Sequence, residues 1–193
     1  MNHKKILIGC FTVLVTLLFT GCTTNNTNKV SNDQNWLDNY TPVHPVGSDA
    51  NDFWITYPSI NPSAGELVTH LEWLVESMED HCVLFVVHRT GCEGCKAQAD
   101  RVIALAEQYE EQVMFHDLDI YFGGSIEQRA NEVYLYDPEG PPGYIALTGI
   151  FTYIKENNDV KIGWHTWEGN LEDSEMESWI RDAIYYYSVN SEG

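Results

Sequence analysis

The hydrophobic pattern along the chain predicts a folded part in which strands and helices alternate. A continuous apolar run at 82–87 indicates a central strand, because apolar side chains on both faces suit burial on both sides. In chain order, the pattern predicts a short strand at 53–57, a helix at 64–79 behind a capping box, the strand at 82–87, a helix from Cys92 to about Glu111, a strand at 113–120, a short helix at 125–135, hairpin strands at 150–155 and 160–165, and a last helix after Asn170.

This order predicts the fold class and the domain boundaries. A crossover half followed by a hairpin half implies an α/β fold with a mixed central sheet and helices on both faces. We expect the folded domain to span residues 52–189, with a tail at 190–193. Residues 22–51 are expected to form a polar, flexible tether that leads into an irregular extension.

The N-terminus has the layout of a secretory signal at residues 1–21. Lys4 and Lys5 precede an apolar run at 6–19, and small and polar residues follow. A permanent transmembrane helix is the weaker alternative, because a span needs about 20 apolar residues. Phe19-Thr20-Gly21-Cys22 resembles the lipobox of prokaryotic lipoproteins. That resemblance implies lipidation of Cys22, hence an extracytoplasmic protein anchored to the cell membrane through lipid.

The charge excludes some classes of partner. The 193 residues include 10 Lys and Arg against 29 Asp and Glu, a formal net charge of −19. Such a charge disfavours nucleic acid and anionic membrane surfaces as electrostatic partners. Since the acidic residues are spread along the chain, a solvated acidic surface is the first interpretation, and an acidic docking face is the alternative.

Candidate chemistry lies in a C-x-x-C motif. Cys92 and Cys95 follow the apolar strand and open a predicted helix, which is the context of a redox motif. Free N–H groups at a helix start stabilise an anion, so we expect Cys92 to be the nucleophilic thiolate. Cys95, one turn further on, is predicted to be shielded and to resolve mixed disulfides.

Several local matches make the chain resemble the thioredoxin family over about residues 52–189. The segment Gly91-Cys92-Glu93-Gly94-Cys95-Lys96 stands where thioredoxins have Trp-Cys-Gly-Pro-Cys-Lys. Asp117-Leu118-Asp119 resembles the end of the family's third strand, and Gly149-Ile150-Phe151-Thr152 resembles its Gly-Ile-Pro-Thr segment. The resemblance implies a thioredoxin-like fold, a disulfide between the two cysteines and disulfide exchange without a cofactor or a metal.

The chain departs from the family pattern at four positions. Gly91 replaces the Trp before the first cysteine, and Gly94 replaces the Pro between the cysteines. Val86 replaces the buried acid of the central strand. The cis-proline beside the disulfide corresponds to Phe151, or to Pro142 in a shifted register.

These departures affect the expected chemistry. Glu93 places a negative charge beside the thiolate, which favours a reductase or isomerase over a strong oxidase. Without an acid at Val86, the candidates for deprotonating Cys95 are His88, Glu93 and solvent. His88 is alternatively a structural histidine with a satisfied hydrogen bond.

Other interpretations stay open at this point. Cys82 is expected to pack in the core, with a third redox cysteine as the alternative. Trp164 and Trp167 are expected mostly in the core, or else on a substrate surface. Two rival functions are copper or zinc handling by the two thiolates and a binding module with a structural disulfide.

We therefore expect an extracytoplasmic thiol-disulfide oxidoreductase. Its expected partners are protein thiols or disulfides outside the cytoplasm and a membrane or soluble thiol electron donor.

Overall fold

A computed structural model describes residues 34–191 of the chain. The predicted signal segment at 1–21, the predicted lipidation site Cys22 and the predicted tether up to residue 33 lie outside the described residues. Between residues 34 and 191, no helix has both the length and the apolar character that crossing a membrane requires.

Helices and strands alternate after an irregular N-terminal stretch. The described residues form helices α1 (Glu72–Glu76), α2 (Glu93–Gln108), α3 (Gly124–Glu132) and α4 (Asp173–Asn190) and strands β1 (Cys82–His88), β2 (Val113–Asp119), β3 (Leu147–Glu156) and β4 (Asp159–Glu168). Short 3-10 helices cover Gln34–Asn39, Ile120–Phe122 and Val133–Tyr136. The elements from 82 onward follow the predicted order.

The strands form one mixed sheet. Its order is β2-β1-β3-β4, with β1 parallel to β2 and antiparallel to β3. Strands β3 and β4 form the predicted hairpin, which turns at Asn157 and Asn158 with positive φ. Two parallel strands joined by a helix and followed by an antiparallel hairpin form the core of a thioredoxin-like fold, so the predicted fold class is confirmed.

Helices cover both faces of the sheet because the side chains of β1 alternate between two cores. Leu84 and Val86 pack in one hydrophobic cluster with residues of α2 and α4, such as Trp179. Phe85 and Val87 point to the other face and pack with residues of α1 and α3. All seven residues of β1 are buried, as predicted for a central strand.

The helix predicted at 64–79 is largely absent. Only Glu72–Glu76 is helical, because tertiary pairing engages the backbone of the preceding residues. The amide of Gly65 donates to the carbonyl of Tyr57, the amide of Tyr57 donates to the carbonyl of Glu66, and Thr56 pairs with Leu67. The φ of Gly65 is +84°, a left-handed conformation that a helix interior does not allow. The prediction was wrong because pairing with residues 56–57 overrides the local helical spacing.

The strand predicted at 53–57 is also wrong as a continuous element. Trp54 forms an isolated antiparallel bridge with Trp164, and the chain then leaves the edge of β4 to pair Thr56 with Leu67. Trp164 and Trp167 both lie in β4 and are buried, which confirms that they belong to the core.

The segment before β1 is held to α4 by a buried carboxylate. Asp182 is fully buried and accepts hydrogen bonds from the Tyr40 hydroxyl (2.6 Å) and from the amides of Val43 and His44. Its Oδ2 also lies 2.7 Å from Nδ1 of His44. The imidazole of His44 stacks on Trp179 of α4, with 3.4 Å between the ring centroids. Burial, with the bond to Asp182 added, raises the pKa of the Tyr40 hydroxyl.

Replacing Asp182 is predicted to destabilise the whole domain. Asp182→Ala leaves the Tyr40 hydroxyl, the His44 side chain and two amides without their acceptor, so the free energy of unfolding should fall by about 3–5 kcal/mol. Urea denaturation measures the change. Asp173→Ala in the same helix is the control, because its carboxylate is 78% exposed in its ion pair with Arg101. Asp173→Ala should lower the free energy of unfolding by at most about 1 kcal/mol. An equal decrease in both variants would contradict the anchoring role of Asp182.

Candidate functional site

The two cysteines form a disulfide at the start of α2. Cys92 is the N-cap residue, in an extended conformation, and Cys95 lies in the first turn of the helix. Their Cα atoms are 5.4 Å apart. Cys92 is partly exposed, whereas Cys95 is 1% exposed within the core beneath α2. An attacking partner therefore reaches the sulfur of Cys92 before that of Cys95.

A tight turn connects β1 to the disulfide. The amide of Cys92 donates to the carbonyl of Arg89 at 2.9 Å, and Gly91 has a φ of +85°. A Cβ at Gly91 would meet no atom within 4 Å. The positive φ, rather than a lack of space, is therefore what favours glycine here over the Trp that thioredoxins carry.

Asp119, at the end of β2, holds this turn in place. Its buried carboxylate accepts hydrogen bonds from the amide and the hydroxyl of Thr90, and from the amide of Tyr121. Burial by itself raises the pKa of Asp119, but the hydrogen bonds from Thr90 and Tyr121 outweigh it and hold the pKa below the usual value. Asp119 thus remains an anion that fixes the approach to Cys92.

His88 and Cys92 line the same cleft. Nε2 of His88 lies 2.6 Å from Oδ1 of Asp117, and 11% of the His88 side chain is exposed. The cleft has a volume of about 200 Å³. It is lined by His88, Arg89, Thr90, Gly91, Cys92, Glu93, Lys96, Ala99, Asp100 and Ile103. His88 has the satisfied hydrogen bond of a structural histidine and also lies near the candidate nucleophile.

The remaining predicted residues of the motif are exposed. Glu93 and Gly94 lie at the surface in the first turn of α2. Lys96 pairs with Asp100 one turn along the helix at 2.5 Å. This hydrogen bond raises the pKa of Lys96, with a smaller contribution from the charge of Glu93. The ammonium group is thus paired with Asp100 on the exposed face of α2.

Cys95 lies in apolar surroundings. It shares a hydrophobic cluster with Val86, Ala146 and Trp167, and Val86 is fully buried where thioredoxins have an acid. Cys82 lies in the same cluster, forms no disulfide and has its thiol pKa raised by burial. Its predicted role as a core residue is confirmed.

The sequence interpretation did not single out Gln98, which is fully buried one turn after Cys95. Its Nε2 donates to the hydroxyl of Thr148 in β3, and its Oε1 accepts from the amide of Leu171, each at 3.0 Å. Gln98 therefore ties the reactive helix to the sheet and to the loop before α4. A polar residue within the apolar stripe of α2 was the available signal.

Phe151 is not brought together with the disulfide. It pairs with Val83 in the middle of β3 and packs in the cluster on the opposite face from Cys95. Just before β3, Ala146 shares the cluster of Cys95 and follows a cis peptide bond from Ile145. Pro142 follows another cis bond in the exposed loop before β3. Alternation of side chains along β3 explains the position of Phe151.

Among residues 34–191, no group of three or more His, Cys, Asp or Glu side chains is arranged to hold a metal ion.

Comparisons with known proteins give little similarity in sequence. No family model matches the chain, and no curated protein matches it. A solved structure of Deadhead (Thioredoxin-1), the germline-specific thioredoxin of Drosophila melanogaster, matches with 14% identity and a TM-score of 0.36. The match covers 55% of this chain and 85% of that one. Strand order and helix placement identify the thioredoxin-like fold.

The lowered pKa of Asp119 predicts a pH dependence of stability. Because the folded pKa lies below the unfolded value of about 3.9, the unfolded chain binds the proton more readily. The stabilisation is therefore present above that pH and is lost as pH falls through the folded pKa. Urea denaturation from pH 6 down to about pH 2 should show a smaller loss of stability for Asp119→Asn than for the unmodified chain.

Asp100→Asn is the matched control for this pH series, since its carboxylate is 61% exposed. We expect it to follow the unmodified chain. If Asp119→Asn also followed the unmodified chain, the hydrogen bonds from Thr90 and Tyr121 would not stabilise the anion.

Proposed function

We propose that the chain is an extracytoplasmic thiol-disulfide oxidoreductase that exchanges disulfides through Cys92 and Cys95. The observation that carries this proposal is the disulfide at the N-terminus of α2, with one partly exposed and one buried cysteine. A structural disulfide has no need of this asymmetry. Disulfide exchange requires it, because the sulfur of Cys92 must be accessible to the substrate while the sulfur of Cys95 stays shielded until the mixed disulfide has formed.

The reaction in the reducing direction has two steps. The Cys92 thiolate attacks one sulfur of a substrate disulfide, forming a mixed disulfide and releasing the first substrate thiolate. The Cys95 thiol loses its proton and attacks the sulfur of Cys92, releasing the second substrate thiolate. The substrate gains two electrons, and the enzyme dithiol becomes the Cys92–Cys95 disulfide. A thiol electron donor outside the cytoplasm must then reduce the enzyme again.

Electrostatics around the motif favours a reductase or an isomerase. The free N–H groups at the start of α2 stabilise the Cys92 thiolate, but the carboxylate of Glu93 adjoins it in the same turn. A thiolate that is less stable makes the reduced enzyme a better electron donor. Cys95 lies among apolar residues, and burial disfavours its thiolate until the mixed disulfide has formed.

The proposed location rests on the first 22 residues of the sequence. A basic start, an apolar run and Phe19-Thr20-Gly21-Cys22 support export and lipidation at Cys22. The protein would then meet protein thiols and disulfides in an environment where disulfides persist. Its acidic surface keeps it away from anionic headgroups, so the lipid serves as the anchor.

The two cysteines are predicted to differ in their response to substitution. Cys92→Ser should abolish reduction of a model protein disulfide, because the nucleophile is gone. Cys95→Ser should accumulate mixed disulfides with the substrate, because nothing resolves them. Non-reducing electrophoresis and mass spectrometry distinguish these products. Cys82→Ser is the control and should retain exchange; full activity of Cys92→Ser would refute the assignment.

The reduction potential of the pair tests the direction of electron flow. Titration of the full chain against poised thiol buffers, read by alkylation and mass spectrometry, should give a value between about −270 and −180 mV. A value near −120 mV would identify an oxidant. If the pair stayed oxidised at every accessible potential, the disulfide would be structural and the proposed function would fail.

Lipidation at Cys22 is tested in a bacterial host by metabolic labelling with a fatty acid. The unmodified chain should carry the label and sediment with membranes. Cys22→Ser should lose the label, whereas Cys10→Ser, within the apolar run, should keep it. A labelled Cys22→Ser chain would contradict the proposed anchor.

A further inference from the structure

The cleft beside Cys92 holds a histidine whose orientation is set by a carboxylate. Nε2 of His88 lies 2.6 Å from Oδ1 of Asp117. An ionised carboxylate only accepts hydrogen bonds, so Nε2 carries the hydrogen in the neutral imidazole. The other ring nitrogen, Nδ1, is then the basic one and makes no hydrogen bond within residues 34–191. The imidazole is thus held in the tautomer that accepts a proton at Nδ1.

His88 shares its cleft with one of the two cysteines. Cys92 lines the cleft and Cys95 does not. Cys95 instead lies in the apolar cluster below α2. A volume of about 200 Å³ leaves room for several water molecules, at roughly 30 Å³ each, in the cleft that His88 and Cys92 line. This placement favours a role for His88 at Cys92 over the role at Cys95 that the sequence suggested.

We propose that His88, oriented by Asp117, takes the proton from the Cys92 thiol of the reduced protein and returns it to the first substrate thiolate that leaves. This inference rests on the proposed function, since it assigns a further residue to the same exchange reaction. The Cys92 proton moves to Nδ1 through the water of the cleft, and the thiolate attacks the substrate disulfide. The imidazolium then protonates the departing sulfur, so His88 ends the step neutral, as it began.

The surrounding charges are compatible with this cycle. On the side of β2, the carboxylate of Asp117 lies 2.6 Å from the imidazole, and the charge of His88 helps to lower the pKa of Asp119. On the side of α2, Glu93 and Asp100 are offset by Lys96 and by Arg89 of the connecting turn, and all four line the cleft.

The test is the pH profile of Cys92 alkylation in the full chain. In a reduced Cys95→Ser background, peptide mass spectrometry separates Cys92 from the other cysteines. If the proton passes between the two groups as proposed, the alkylation rate should rise with pH in two steps, because two interacting groups lose their protons in two steps. His88→Asn should leave one step, at the higher pH. With Cys95 present, His88→Asn should also slow disulfide exchange at neutral pH by at least about tenfold.

A second variant and a matched control exclude a merely structural effect. Asp117→Asn keeps the imidazole but removes the carboxylate that orients it, so the lower step should shrink without vanishing. His116→Asn is the control, because His116 of β2 bonds to the hydroxyl of Ser77 at 2.9 Å, away from the cleft. It should leave the profile unchanged. Circular dichroism and urea denaturation establish that each variant is folded.

The outcomes separate this inference from the proposed function. If His88→Asn keeps both steps of the alkylation profile while the unmodified chain exchanges disulfides, the role of His88 is overturned and the function stands. If His88→Asn removes the lower step but the unmodified chain exchanges nothing, the proton coupling stands and the proposed function fails. A two-step profile that His116→Asn abolishes equally would also overturn the role of His88.

Discussion

Strand β1 hydrogen-bonds to β2 on one side and to β3 on the other, and all of its residues are buried. Both faces of the strand therefore need a hydrophobic cover. Alternating side chains place Leu84 and Val86 under α2 and α4, and Phe85 and Val87 under α1 and α3. Since α2 starts shortly after β1 ends, the same strand positions Cys92 at the carboxyl edge of the sheet.

Polar side chains at that edge depend on the parallel register of β1 and β2. The register aligns Val86 with Asp117 and His88 with Asp119. Asp119 then reaches Thr90 in the turn, and Asp117 reaches His88. The two acids lie in the segment that resembles the end of a thioredoxin strand, but here they hold a turn and a histidine. A shift of one residue in the register would turn both carboxylates to the other face.

The hydrogen bonds of Asp182 show a comparable dependence on distant residues. The carboxylate lies inside α4, and its donors come from residues 40–44, far away in sequence. A buried carboxylate is costly unless each oxygen has a partner, so the irregular N-terminal segment and α4 need each other. The stack of His44 on Trp179 extends the same contact over apolar surface.

Local patterns predicted much of the fold and the two cysteines. The apolar run of β1, the helical stripe of α2, the hairpin of β3 and β4 and the helix after Asn170 all follow from periodicity, because each element buries one continuous set of side chains. Patterns failed before β1, where residues 56–57 pair with the segment that includes Gly65 and Leu67. Such pairing joins positions whose local sequence gives no signal of contact.

The sequence by itself determined the class of fold and the position of the C-x-x-C motif, since both depend on residue types at short spacing. Only the tertiary structure decided which polar groups surround the motif. His88 bonds to Asp117, Thr90 to Asp119 and Gln98 to Thr148, and the sheet brings each pair together from distant positions in the sequence. The alternation of β3 likewise places Phe151 on the face of the sheet opposite the disulfide, while Ala146, just before β3, lies in the cluster of Cys95. These contacts depend on strand register and strand order, which are properties of the assembled sheet.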